Sequence, residues 1–253
     1  MKNAGLPLLV IVLHGCSQPP QTAPQQEKKA PEYFRVDPST SGTVFGHVSF
    51  EGKLPARQKI DLDEDEQCVK LNPHGMLDAS ISVDRNRMLS NVFVYVKTGL
   101  EGKTFPKPEE PVVLDQKGCQ FSPRVFAARA GQPFQVTNSD PVTHNVHPIA
   151  KMNREWNQSQ SPGDPPLQRK FVRPEIMIRI KCNVHSWMRA WAAVIDHPYY
   201  AITAADGSFT IPNLPPGEYT LEAWQEKLGT REQKIRLDPS GKVQVAFQFQ
   251  GEK

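Results

Sequence analysis

Cysteine is scarce: four in 253 residues, too few for a chain held together by a disulfide framework. Long apolar runs are missing as well. The longest, Leu6 to Leu13, is broken by Pro7 and falls far short of the ~20 residues a membrane-spanning helix needs. Neither sign of charge dominates, with 30 basic against 27 acidic residues and a net charge of +3. No basic stripe carries interleaved aromatics, so nucleic acid is excluded as a partner. Cys-x-x-Cys-His, His-Glu-x-x-His and Gly-x-Ser-x-Gly are all absent. Their absence removes covalent haem attachment, zinc-protease chemistry and the hydrolase nucleophile elbow. Apolar periodicity of helical spacing never persists beyond a turn or two.

Proline, by contrast, is abundant at 24 residues, about twice the usual ~5%. It argues for short strands joined by turns. Strand-like segments recur from residue 42 onward: Thr43 to Phe50, Asn91 to Val96, Tyr219 to Trp224 and Val243 to Phe249. Ala201 to Ala205, then Asp206-Gly207, then Ser208 to Ile211 reads as a hairpin, because Asp-Gly supplies the positive φ angles of a tight turn. The fold class is all-β, most simply two sandwiches.

The first residues bear on location. Lys2, the apolar run and the ending Leu13-His14-Gly15-Cys16 read as an export signal over 1–15. The ending resembles a bacterial lipobox, which implies cleavage before Cys16 and lipidation of its thiol. That places the protein in the bacterial cell envelope, lipid-anchored and facing the periplasm. Ser17 favours the outer membrane in a Gram-negative cell. Residues 16–41 carry Pro19, Pro20, Pro24, Pro31 and Pro38 with little to bury, and read as a semi-extended tether.

The chemistry concentrates between residues 112 and 196. Ile178 to Cys182 is a strand ending in cysteine, followed by His185 and Met188 as Cys-x2-His-x2-Met. Upstream, Phe134 to Asp140 runs into Thr143-His144-Asn145-Val146-His147. A thiolate, two imidazoles and a thioether form the donor set of a type 1 copper site, a trigonal His2Cys plane with a weak axial Met. Zinc would use the same Cys and His but has no use for Met188. Residues three apart on a strand face opposite sides, so His144 and His147 should not reach one ion together. His47, His74 and His197 read as surface or turn histidines. The acidic run Asp61 to Glu66 reads as a solvated turn, and Trp156, Trp191 and Trp224 as packing residues.

Lys181-Cys-Asn-Val-His-Ser-Trp-Met-Arg189 with Ala192 to Ile195 resembles the ligand loop and last strand of amicyanin-like cupredoxins. Phe121-Ser-Pro123, Val125, Gly131, Phe134, Asn138, Asp140 and His144 to His147 resemble the first half of that family. By this resemblance one copper ion, cycling between Cu(I) and Cu(II), is held by His144, Cys182, His185 and Met188. Asn145 ties the two ligand loops together. The His185 ring edge faces solvent within an apolar docking patch that includes Trp187 and Pro148. The segment from Met152 to Arg173 is longer than the family needs. Paired-His clusters of multicopper oxidases and the second loop cysteine of a dinuclear copper centre are missing, so the expected role is one-electron relay to redox proteins of the periplasm, not catalysis. Copper storage or delivery, or a binding module of the envelope, is the alternative.

Thr203 to Ala223 resembles the closing half of a carboxypeptidase-regulatory-like, or transthyretin-like, sandwich, whose opening half would be Gly46 to Val48 and Asn91 to Val96. The expected organisation is an N-terminal β region at 42–106, a cupredoxin segment at 107–198 inserted into this sandwich, and a closing β region at 199–250. The alternative is that residues 43–105 extend the cupredoxin sheet. Cys68 and Cys119 remain, both in turn-like surroundings, and in an exported chain they are expected to pair. A metal site on Cys68 and His74 is the other reading.

Overall fold

The computed structural model describes residues 32–251. The leader, Cys16 and the tether up to residue 31 lie outside the described residues. The chain opens with β1 (Gly42–Glu51), β2 (Lys59–Ile60), a short helix α1 (Glu66–Leu71), β3 (Met76–Leu77) and β4 (Phe93–Thr98). A second group follows: β5 (Val112–Gln116), β6 (Phe121–Ser122), β7 (Val125–Arg129), β8 (Pro133–Asn138), β9 (His144–Ile149), β10 (Gln158–Gln160), β11 (Leu167–Lys170), β12 (Glu175–Lys181) and β13 (Arg189–Ile195). The chain closes with β14 (Tyr200–Ile202), β15 (Ser208–Leu214), β16 (Gly217–Gln225), β17 (Gly229–Leu237) and β18 (Lys242–Gln250).

The outer sandwich takes strands from both ends of the chain. One sheet runs β15-β1-β18 and the other β14-β4-β16-β17. β1 lies parallel to β18, in register from Thr43 opposite Lys242 to Glu51 opposite Gln250. The close approach depends on Gly46, where an added Cβ would fall 1.7 Å from the Val245 carbonyl oxygen. Alternating apolar residues of β1 and β18, with Val92, Val94, Leu221 and Phe209, fill the space between the sheets. The segment from β5 to β13 forms its own sandwich, with sheets β10-β9-β12-β13-β7 and β11-β8-β5-β6 over a core that includes Phe126, Phe134 and Ile180. Neither β1 nor β4 pairs with any strand of it.

Three local expectations change. Asp206-Gly207 does turn the chain, with Gly207 at φ +72°, but the flanking strands do not form a hairpin. β14 pairs with β4 and β15 with β1, in different sheets. Each finds a long free edge, and crossing the sandwich lets Ile202 and Phe209 both stay partly or wholly covered. The tether ends earlier than residue 41. Phe34 and Val36 pack against the outer core, and the Phe34 N–H donates to the Thr104 carbonyl at 2.7 Å. These two apolar side chains offset the cost of ordering the segment.

His197, read as a surface residue, is buried at 8% exposure, its Nδ1 accepting from the Tyr199 N–H at 3.2 Å. Burial holds its imidazole down to about 4. The unfolded chain takes up this proton near pH 6.5 and the native state resists it. The stability His197 contributes is therefore complete above pH 6.5 and lost as the pH falls towards 4. The loss should be about 3 kcal/mol. Denaturant titrations at pH 7 and pH 4 should show it, and it should shrink in His197→Gln.

The two sandwiches meet where Phe93 and Tyr95 of β4 pack on Val125, Ala127, Ala193 and Ile195 of β7 and β13. Arg124 adds a bidentate pair to Glu226, at 2.5 and 3.1 Å, and Trp191 Nε1 donates to the same carboxylate at 3.0 Å. This face joins the two sandwiches through apolar packing and a partly buried ion pair.

Candidate metal centre

Two strand ends and one loop build the site. β9 begins at His144, and β12 delivers Lys181 opposite His147, so Cys182 emerges beside the start of β9. The loop from Cys182 to Met188 closes on itself. The Met188 N–H donates to the His185 carbonyl at 3.0 Å and the Cys182 N–H to the Met188 carbonyl at 3.2 Å. Asn145 joins the halves. Its Oδ1 accepts from the Asn183 N–H at 3.0 Å, and its backbone N–H donates to Cys182 Sγ at 3.3 Å. The 152–173 segment supports this strand from outside: β10 pairs with β9, placing Gln160 opposite His144, and Asn145 Nδ2 donates to Asn157 Oδ1.

The donors converge. His144 Nδ1 and His185 Nδ1 are 2.9 Å apart, and Cys182 Sγ is 3.9 Å from His185 Nδ1. All three ligand atoms lie within 4.8 Å of one another, and all three residues are buried. A metal with bonds of about 2.0–2.3 Å in a trigonal plane needs donors about 3.5–3.8 Å apart, a spacing these distances bracket. Met188 is buried in the same cluster as Cys182. His147 turns away, its Nε2 on Glu155 at 2.6 Å and its Nδ1 on Asn183 at 3.3 Å.

Both imidazoles are held from behind by carboxylates. Asp140 Oδ2 sits 2.8 Å from His144 Nε2, and Asp65 Oδ2 sits 3.2 Å from His185 Nε2. With the outer nitrogens engaged, the Nδ1 atoms face each other and Cys182. Burial opposes ionisation of the Cys182 thiol. Hydrogen bonds from His144, from His185 and from the His185 and Asn145 backbone outweigh it and bring the thiol down to about 6. The same contact with Cys182 raises His185, against its burial and with help from Asp65.

Cys68 and Cys119 are joined as a disulfide, and Cys182 is the free cysteine. Both bridged residues are buried, not turn-exposed. The bridge holds α1 against the β5–β6 turn, directly over the candidate site: Cys68 Sγ is 3.7 Å from His185 Nε2. The expected open edge is therefore closed. His185 is only 2% exposed. Trp187 packs on the His185 ring at 5.1 Å and donates through Nε1 to the Cys119 carbonyl at 3.0 Å. Trp187 is tied to the disulfide loop and Pro148 is buried within β9, so neither forms the expected free docking patch. The exposed apolar side chain of the loop is Val184, at 52%.

Sequence reasoning passed over Asp65 and gave Asp140 no task. For Asp65 the available signal was an acidic N-cap ahead of a short helix. Its Oδ1 accepts from the Gln67 and Cys68 N–H groups at 2.8 and 3.1 Å.

Residues 193–250 match the carboxypeptidase regulatory-like domain. That stretch covers β14 to β18, and β1 and β4 complete the same sheets from the other side of the insertion. No curated protein matches the chain. Among solved structures, the chain is similar to a copper-containing nitrite reductase from Thermus scotoductus SA-01, at 18% identity and TM-score 0.33, over 40% of this chain and 25% of that one. It therefore spans about a quarter of the reductase's length. It is also similar to a purple cupredoxin from Nitrosopumilus maritimus, at 23% identity and TM-score 0.26, over 30% of this chain and 81% of that one. A Cu(I) amicyanin variant aligns at 17% identity and TM-score 0.30, over 34% of this chain and 84% of that one.

Proposed function

We propose that this protein holds one type 1 copper ion and relays single electrons in the bacterial cell envelope, tethered to a membrane through a lipid on Cys16. The observation that carries the reading is the convergence of the buried His144, His185 and Cys182 donor atoms, with Met188 buried in the same core cluster as Cys182. Copper supplies a one-electron couple there. The chain's own residues hold the donors still: Asn145 and the loop's backbone hydrogen bonds fix Cys182, and two carboxylates fix the imidazoles. Rigid donors of mixed softness suit both oxidation states, so little has to move when the charge changes. Four such donors would fill the coordination of the ion, so the reading assigns it no substrate. The partners are small redox proteins of the periplasm.

Copper addition should give one ion per chain and an intense band near ~600 nm from the thiolate. A colourless copper complex, or a preference for zinc, would overturn the reading. Met188→Leu should keep the band and raise the reduction potential, because a thioether from Met188 would mainly tune it. Spectroelectrochemistry on the two proteins measures this, and loss of the band would contradict it.

One observation favours a second reading, copper storage without electron relay: the His185 ring is covered. Electron exchange with a soluble one-electron oxidant separates the two. A relay exchanges rapidly with copper retained, whereas a store exchanges slowly.

A further inference from the structure

The acidic run 61–66 has a place in the site that its sequence does not disclose. Asp65 is the N-cap of α1, and one carboxylate oxygen is spent on the Gln67 and Cys68 N–H groups. The other points inward to His185 Nε2. Cys68, in the first turn of the same helix, is bonded to Cys119. The Cys119 N–H in turn donates to Asp140 Oδ2 at 2.7 Å, and the Gly118 N–H to Asp140 Oδ1 at 2.6 Å. Asp140 is the carboxylate behind His144. The disulfide thus joins two carboxylate–imidazole arms. Asp140 reaches a histidine four residues away, and Asp65 one 120 residues away.

We propose that Asp65 is a positioning residue for the ligand His185: it takes the Nε2 hydrogen, fixes the ring with Nδ1 free for the metal, and adds a negative charge behind it. The proposal rests on the copper reading. A hydrogen bond to the far nitrogen of a ligating imidazole orients the ring and strengthens it as a donor. The anion also favours the more highly charged state of the metal. Since α1 is anchored through Cys68, the carboxylate is delivered by the cover that shuts the ring off from water. Asp65 itself keeps a solvent-facing side, with its side chain 26% exposed, so its charge is tolerated there.

Two variants separate this role from helix capping. Asp65→Asn and Asp65→Ser both retain capping side chains. Asn removes the charge, and Ser removes the reach to His185 as well. Both should still take one copper and keep the thiolate band. Both should raise the reduction potential, and Asp65→Ser should weaken copper binding about 10–100-fold. Pulsed EPR of the Cu(II) form reads the remote imidazole nitrogens. One of the two should change its coupling in both variants, while Asp63→Asn, on the same acidic run, should leave it alone. A copper-loaded wild type whose Asp65 variants match it in potential, affinity and remote-nitrogen coupling would overturn this proposal and leave the copper reading standing. A wild type that takes no copper would remove both.

Discussion

On the copper reading, Cys182→Ser should abolish the thiolate-to-copper absorption and leave the fold in place. A serine oxygen fits where Sγ now accepts the Asn145 and His185 N–H groups, each at 3.3 Å, so the loop keeps its hydrogen bonds. It cannot supply the covalency and softness of a thiolate. The loss of affinity, measured against Cu(I), should exceed the about 10–100-fold that the partners behind the ligands command. Absorption and affinity after copper titration, with circular dichroism as the control on folding, check the result. A serine variant that remains blue would show that the ligand lies elsewhere.

The second large effect belongs to the bridge. Removing both sulfurs in Cys68→Ala/Cys119→Ala should cost about 4 kcal/mol, the loop-closure entropy of a bond between residues 51 apart. Against a typical stability of about 5–15 kcal/mol that is a large share. Urea denaturation of the metal-free protein should show a lower midpoint, and His185 should become accessible as α1 loosens. An unchanged midpoint would contradict it. In the unfolded, metal-free, unreduced parent, a thiol count over residues 32–251 should find Cys182 alone.

The closed ring edge alters how an electron would leave. Of the docking surface expected around His185, Trp187 and Pro148, the His185 ring is covered by the chain's own helix and Pro148 is buried in its strand, so a partner of the proposed relay would meet the cover first. This was not readable from the ligand loop, whose sequence is compatible with an open edge or a closed one. Asp65 lies far upstream in an acidic run that reads as solvated surface. Nothing local in either segment reports that they touch.

What the sequence determined by itself is what short-range geometry controls. Strand alternation and frequent proline give an all-β chain, because side-chain period and turn chemistry act over a few residues. Cys182, His185 and Met188 sit on one tight loop, so their spacing alone brings the Cys182 thiol and the His185 ring together. The tertiary structure decided what depends on distant edges. β1 pairs with β18 across nearly the whole chain, because each offers a long free edge and alternating apolar faces to the same core. The Asp206-Gly207 turn looks like a hairpin until those edges compete for its strands. His197 is buried and Asp65 reaches His185 for the same reason: packing between remote segments, fixed here by the core and the 68–119 bridge, sets an environment that neighbours in sequence do not encode.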